Sequence, residues 1–347
     1  MVGKLIVFVM AIAGVPLFAV MALSAILAHR DAEIDLQAII ISFNRLGDTP
    51  LLSSLPLFAF GGYLLAHSRA PQRLVRLANA LVGWLPGGLA IVAIWASSLV
   101  TAITGASGVT LIALGGLLLP ALKEQGYPER FSLGLITAGG SLGLLFPPSL
   151  AVILYGVISR TSIEEIFAAG VLPSLLMLGL LSIYAAVVGV RSGVPRVPFS
   201  WPELGAALRE GAWEVPLPIV VVAGIYSGQF TVSEAAVVSA TFILLVEVVV
   251  YRDVKWTQLP RIAHETIVLV GGILIILGMT MAVSNMMVDE EVPRRLFEAT
   301  RGYMTSQLTF LVVLNLFLLF IGCMIDIYAA IVFLVPVLVP LAREFGV

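Results

Sequence analysis

Residues 77–122 form a run of 46 positions without a formal charge, interrupted at Pro86-Gly87-Gly88 and again at Gly105-Ala106-Ser107-Gly108. A run that long and that apolar belongs in lipid, and its interruptions limit the shapes it can take there. Between the breaks, 89–104 and 109–122 supply 16 and 14 residues. As helices they rise about 21 to 24 Å at about 1.5 Å per residue. The hydrocarbon core of a bilayer is roughly 30 Å thick, so neither half crosses it comfortably. The economical solution is a re-entrant hairpin over 89–122, two half-length helices meeting at a small tip. A kinked pair of full spans packed through small residues is the other solution. Uncovered backbone groups deep in a bilayer are costly unless they line a cavity, which makes such a tip a candidate ion or substrate site. Gly105 and Gly108 permit close approach there, and the Ser107 hydroxyl with the freed carbonyls offers hard oxygen ligands.

The rest of the sequence shares this solvent. Of its 347 residues, 60% are hydrophobic and 12% charged, with a mean hydropathy of +1.07, more apolar surface than a water-soluble core can hide. The predicted class is an all-α polytopic membrane protein. A net charge of −2 gives no reason to expect nucleic acid or any other highly charged partner. The single cysteine, Cys323, excludes an internal disulfide and a structural zinc site. His29, His67 and His264 share no metal-ligand spacing, and each lies where a span should end. They are expected to be solvated at the interface, with no transition-metal site and no catalytic role.

In sequence order, 6–28 is predicted as a first span, longer than the apolar core of a cleaved signal peptide. Residues 30–47 carry Asp31, Glu33, Asp35 and Arg45 among apolar positions, a pattern suited to the membrane surface. A second span is predicted over 50–67, and a short segment over 71–84 leads into the hairpin. A broken helix follows over 131–159. Within it, Gly139-Gly140 and Gly143 precede Pro147-Pro148, and both residue types interrupt the helical hydrogen-bond ladder. Carbonyls before the break and amides after it are then ready partners for a cation and an anion. A simple proline kink accounts for the prolines and leaves the glycines without a purpose.

Thr161-Ser162-Ile163-Glu164 reads as a capping box opening a span over 166–190, and Thr231-Val232-Ser233-Glu234 as a second box between spans over 215–230 and 235–250. The polar, proline-bearing segment 191–213 connects the two halves. Glu247, near a span end, is expected to be interfacial, snorkelling or paired with Arg252. A further span covers 266–288.

The halves nearly repeat. Residues 89–126 are echoed by 308–346, with Pro120 matching Pro340 and Gly126 matching Gly346, an offset of 340 − 120 = 220 in both cases. Pro71-Gln72-Arg73-Leu74 resembles Pro293-Arg294-Arg295-Leu296 with a two-residue slip. The division predicted is a first repeat over 1–190, a connecting segment over 191–213 and a second repeat over 214–347. The second repeat carries a hairpin over 308–342 turning at Gly322-Cys323-Met324-Ile325-Asp326. Paired hairpins of this kind are the pattern of a secondary transporter. Inverted topology of the repeats is an expectation, because lysines and arginines around the hairpins do not orient them. Asp326 lies alone in an apolar stretch, as a cation ligand, a polar anchor for the tip, or a helix N-cap.

These residues resemble the large membrane (M) subunit, DctM-like, of tripartite ATP-independent periplasmic (TRAP) transporters, within the ion transporter superfamily of elevator carriers. The matching pieces are ITGASGVTLIALGGLLLPALKEQGY at 103–127, AGGSLGLLFPPS at 138–149, YGVISRTSIEEIFAAG at 155–170, GIYSGQFTVSEAA at 224–236 and GCMIDIYAAIVFLVPVLVPLA at 322–342. The resemblance implies a multi-pass permease of the bacterial inner membrane, not an enzyme. It would import small organic anions such as C4-dicarboxylates, with sodium as coupling ion and no other cofactor. The partners implied are a small membrane (Q) subunit and a periplasmic substrate-binding (P) protein. By the same resemblance, Gly105, Ser107, Gly108 and Thr110 with Gly139, Gly140, Ser141 and Gly143 would form one sodium site and part of the substrate site, and Gly322 and Asp326 would contribute to a second. The family pattern places another broken helix after the second hairpin. The second repeat is therefore expected to be incomplete, truncated at its C-terminal end. The alternatives are a superfamily carrier that needs no binding protein, or a non-transporting fragment. An intramembrane enzyme is disfavoured, since Ser107, Ser141 and Asp326 have no His or Lys among them.

Overall fold

A computed structural model describes residues 2–31, 34–47, 50–105, 107–195, 198–300, 306–323 and 325–347. Ala106 and Met324 of the two predicted tips, and Glu33 of the amphipathic segment, lie outside the described residues. Among the described residues the protein is helical and has no strand.

The first predicted span is two helices, α1 (Val2–Ile12) and α2 (Leu17–Asp31). Gly14 takes φ +74° and Pro16 lacks an N–H, so the ladder cannot continue through them. The two helices fold back on each other, and a Cβ at Gly3 would lie 2.9 Å from Leu27 Cδ1. Then come α3 (Gln37–Gly47), α4 (Ser54–His67) and α5 (Ala70–Val82), which is bent away from α4 by 76°. The first hairpin is α6 (Gly88–Thr104) and α7 (Ser107–Glu124). The broken helix is α8 (Glu129–Leu142), extended by a 3-10 turn over Gly143–Leu145, and α9 (Leu150–Ser159), bent by 46° across residues 146–149, which hold Pro147-Pro148, while Gly139 and Gly140 stay inside α8. After them are α10 (Ile163–Arg191), α11 (Trp201–Glu210), α12 (Pro216–Tyr226), α13 (Val232–Leu245) with a π-helical turn over Val246–Val250, α14 (Leu259–Asp289), α15 (Val292–Thr300), α16 (Gln307–Gly322) and α17 (Ile327–Glu344).

Five of these are long and apolar enough to cross a bilayer, among them α7 and α17 at 18 residues each, so the second arm of each expected half-length hairpin is longer than its sequence punctuation indicates. Counting each bent pair as one span raises the number among the described residues to 7. Along α10 the outward side chains are Leu172, Leu176, Leu180 and Ile183, all exposed, which is tolerable only against lipid. The protein is an all-α polytopic membrane protein.

Several local readings change. The span expected over 215–230 holds only the 11-residue α12, because Gly228 turns the backbone at φ +71°. The connecting segment 191–213 contains a helix, α11, capped by Ser200. Ser162 rather than Thr161 caps α10, accepting from the Glu165 amide, whereas Thr231 and Glu234 form the predicted reciprocal box. His29 is buried, its Nδ1 2.8 Å from the Ala25 carbonyl, whereas His67 and His264 are exposed as expected. Glu247 is fully buried and pairs with Arg73, not Arg252.

The protein forms two compact units. One comprises Ser53–Ile153 and Ser162–Ile267. Its axis is α6, buried on almost every side and packed by α5, α7, α8 and α10. A helix hydrophobic all round must be interior. Its Ala90, Ala93 and Ala96 are small, which brings the surrounding helices close, as membrane helix packing requires where apolar burial gives little drive. Leu114, Leu118 and Leu122 of α7 and Leu135, Ile136 and Leu142 of α8 complete this core.

The other unit comprises Met1–Leu52, Leu154–Thr161 and Val268–Val347. It holds the second hairpin, α16 and α17, whose open end is clasped. Gln307 Nε2 donates to the Gly346 carbonyl at 2.8 Å, and Phe310 stacks on Phe345 at 4.5 Å with Phe297 edge-on. Phe310 is buried, while its neighbour Leu308 is exposed. Phe310→Ala is expected to cost roughly 3–5 kcal/mol, read as a lowered midpoint of thermal unfolding in detergent. Leu308→Ala should stay within about 0.5 kcal/mol of the parent.

Candidate functional site

The first tip forms because Gly105 ends α6 in the left-handed region, φ +68°, while its N–H returns to the Thr101 carbonyl at 2.7 Å. The backbone then reverses into α7, and the hydroxyls of Thr104 and Thr110 meet across the turn at 3.2 Å. Two residues six apart would lie well beyond hydrogen-bond reach on a straight helix, so this contact records the reversal. Both hydroxyl residues are buried.

The broken helix is held against this hairpin through its glycines. A Cβ at Gly139 would lie 3.2 Å from Ser97 Cβ, and one at Gly143 would lie 2.3 Å from the Ser98 carbonyl oxygen and 2.4 Å from Thr101 Cβ. Gly143 therefore permits direct contact with the backbone of α6 that no larger residue allows. A Cβ at Gly140 would lie 3.5 Å from the Ser107 carbonyl oxygen, and the Leu150 side chain at the start of α9 lies against Gly105. Ser98 Oγ donates to the Gly139 carbonyl at 3.2 Å, tying the last turns before the break to α6.

Of the residues expected at this site, Gly105, Ser107, Thr110, Gly139, Gly140 and Gly143 come together where the tip meets the break. Gly108 is exposed with open space around it. Ser141 also faces outward, its hydroxyl donating to the Thr137 carbonyl at 3.2 Å. At the second tip Gly322 is exposed, and Asp326 is the N-cap of α17, accepting from the Tyr328 amide at 3.0 Å.

Sequence reasoning missed the hydroxyls that line the junction from the α6 side. Ser97 and Thr101 are buried one turn apart, Ser149 is buried immediately after the break, and their oxygens lack a hydrogen-bond partner among the described residues. A buried hydroxyl without a partner costs about 1–3 kcal/mol, so each asks for an explanation. The signal was present: Ser97, Thr101 and Thr104 recur at i, i+4 and i+7 in a helix whose other residues, Ser98 apart, are apolar. The junction thus gathers hydroxyls and backbone carbonyls without a charged side chain in 105–110 or 138–149. Oxygen ligands of this kind suit a hard cation, whose charge a bound carboxylate would balance.

An uncharged, oxygen-lined junction between a hairpin tip and a broken helix, inside a fold that faces lipid, defines a membrane permease. The family model of the DctM component of the tripartite ATP-independent periplasmic transporter matches residues 4–347. The protein is 32% identical over 311 residues to the C4-dicarboxylate TRAP transporter large permease protein of Rhodobacter capsulatus, an alignment spanning 85% of this sequence and 71% of that one. It is 34% identical over 297 residues to the ectoine/5-hydroxyectoine TRAP transporter large permease protein of Ruegeria pomeroyi, spanning 85% and 69%. It is 30% identical over 299 residues to the sialic acid TRAP transporter permease protein of Haemophilus influenzae, spanning 86% and 48%. The protein belongs to the DctM family of TRAP transporter large permeases, and is a transporter component rather than an enzyme.

Gly143 of the broken helix and Gly108 of the tip separate packing from exposure. Gly143→Ala is expected to lower stability by roughly 1–3 kcal/mol through overpacking, while Gly108→Ala, in open space on a helix, leaves it unchanged or raises it slightly. Thermal unfolding of the two variants in detergent checks this, and equal midpoints would contradict the backbone contact at Gly143.

Proposed function

We propose that the protein is the permease subunit of a sodium-coupled importer of small organic anions in the bacterial inner membrane. A periplasmic binding protein delivers the substrate and a small membrane subunit completes the complex. The substrates named for the relatives, C4-dicarboxylate, ectoine and sialic acid, share a carboxylate, and that group is the element of recognition proposed here. The observation that carries the reading is the pair of buried hydroxyls at Ser97 and Thr101, without a partner among the described residues and packed where Gly139 and Gly143 bring the broken helix onto α6, with Ser149 likewise buried and unpartnered at the end of the break. Sodium is cargo in this scheme. Hydroxyl and carbonyl oxygens at the junction would take it, and the amides opening α9 would face the substrate carboxylate. Loaded and empty states then differ in affinity, which is what a gradient needs in order to drive a conformational cycle.

Thr101→Val keeps the side-chain volume close and removes an oxygen that no group among the described residues uses. In proteoliposomes containing the permease with its small subunit and binding protein, uptake of a C4-dicarboxylate is expected to require an inward sodium gradient. Thr101→Val should reduce that uptake at least tenfold while leaving thermal stability unchanged or higher. Uptake that persists without a sodium gradient would remove the coupling.

A further inference from the structure

The hydroxyls gathered at the junction belong to elements other than α4, yet α4 touches both parts of the junction within the unit comprising Ser53–Ile153 and Ser162–Ile267. It packs on α6 and α7 and, elsewhere on its surface, on α13. Its middle reads Phe60-Gly61-Gly62-Tyr63, and both glycines are buried. Glycine weakens a helix interior, so two in succession within a 14-residue helix call for a packing reason.

Neighbouring residues point about 100° apart around a helix, so the two glycines meet different elements. A Cβ at Gly61 would lie 2.9 Å from Ile243 Cδ1 on α13, the far end of a side chain that can turn aside. A Cβ at Gly62 would lie 2.5 Å from both the Cα and the carbonyl oxygen of Thr104, and 2.8 Å from its carbonyl carbon. Thr104 is the last residue of α6, beside Gly105 of the tip and across the turn from Thr110. Its backbone has no other rotamer to take. Carbon atoms pack at about 3.5–4.0 Å, so a side chain at 62 fits only if the turn itself moves by roughly 1 Å.

That turn is already fixed from other directions. The Gly105 amide is tied to the Thr101 carbonyl at 2.7 Å, and Gly143 sets the broken helix directly against Ser98 and Thr101. The last turns of α6 therefore meet two different helices through glycine. α4 also reaches the break, where Phe58 and Gly61 share with Pro148 a cavity of about 10 Å³, with room for no more than a single water.

We propose that Gly62 is a positioning residue for the junction: its missing side chain seats the last turn of α6 on α4 and so sets where the Thr101 and Thr104 oxygens stand relative to the broken helix. This inference rests on the reading of the junction as the sodium site. Binding groups must be held within about 0.5 Å of their productive geometry, and displacing this turn carries both oxygens with it. Sodium affinity then falls without loss of the ability to transport.

The test is uptake of a C4-dicarboxylate, at saturating concentration and over a range of sodium concentrations, by the permease with its small subunit and binding protein in proteoliposomes. Gly62→Ala should raise the sodium concentration for half-maximal uptake by about fivefold or more, while the rate at saturating sodium stays within about twofold of the parent. Gly61→Ala adds the same methyl group one position away, against a side chain that can yield, and should leave the half-saturating sodium concentration unchanged. A general loss of folded protein lowers the maximal rate and leaves half-saturation alone, so the two effects separate. Unchanged half-saturation in Gly62→Ala beside a sodium-dependent parent, or an equal shift in Gly61→Ala, overturns this inference alone. A parent that needs no sodium overturns the sodium reading and this inference with it. Should Gly62→Ala not fold, hydrogen exchange of the parent decides: replacing potassium with sodium should slow amides within 58–66 together with those within 103–110, and protection of 103–110 alone overturns the proposal.

Discussion

Contact between α6 and the glycines of the broken helix is the constraint on which the rest depends. In lipid the hydrophobic effect does not hold one helix to another, so close packing and polar satisfaction must do so. A Cβ at Gly143 would stand 2.3 Å from the Ser98 carbonyl oxygen, so only glycine lets the two backbones meet. Once they meet, Ser98 Oγ can satisfy the Gly139 carbonyl, and the hydroxyls of Ser97 and Thr101 are sealed from water and lipid alike. The junction is thus a consequence of packing. It has oxygens because the apolar helix that can be buried on all sides also carries Ser97, Thr101 and Thr104 along one face.

Breaks in the helices were legible because membrane sequence offers few other signals. Gly105 and Pro147-Pro148 stand out inside uncharged runs, and the structure ends or bends its helices at both, whereas Gly139-Gly140 was read as part of the break and lies inside α8, where it serves close packing. The same chemistry was present at Gly14 and Pro16, yet the continuous apolar run of 6–28 concealed it. There, composition outweighed punctuation, and one predicted span became α1 and α2. A similar misjudgement made 215–230 a span, although Gly228 and the short α12 mark a turn.

Side-chain partners were harder to foresee than breaks. Glu247 lies near a span end with Arg252 close by in sequence, which favours a local pair, whereas its partner Arg73 is 174 residues away. Nothing in a local pattern reports a contact at that separation. Asp326 was the reverse case, since the cap position ahead of α17 can be read from sequence and the structure places its carboxylate on the Tyr328 amide. Ser141 shows the limit of carrying a motif over as a block. It sits among glycines that pack inward, but on the α8 face that points out.

Sodium, in the proposed cycle, would be held where the first tip meets the broken helix. Hydrogen-exchange mass spectrometry of the permease complex, with sodium replaced by potassium at constant ionic strength, addresses it directly. Slower exchange in sodium at amides within 103–110 and 138–150, with peptides from the exposed face of α10 unchanged, is the result expected of a site there. Identical exchange in the two salts at both stretches would contradict it.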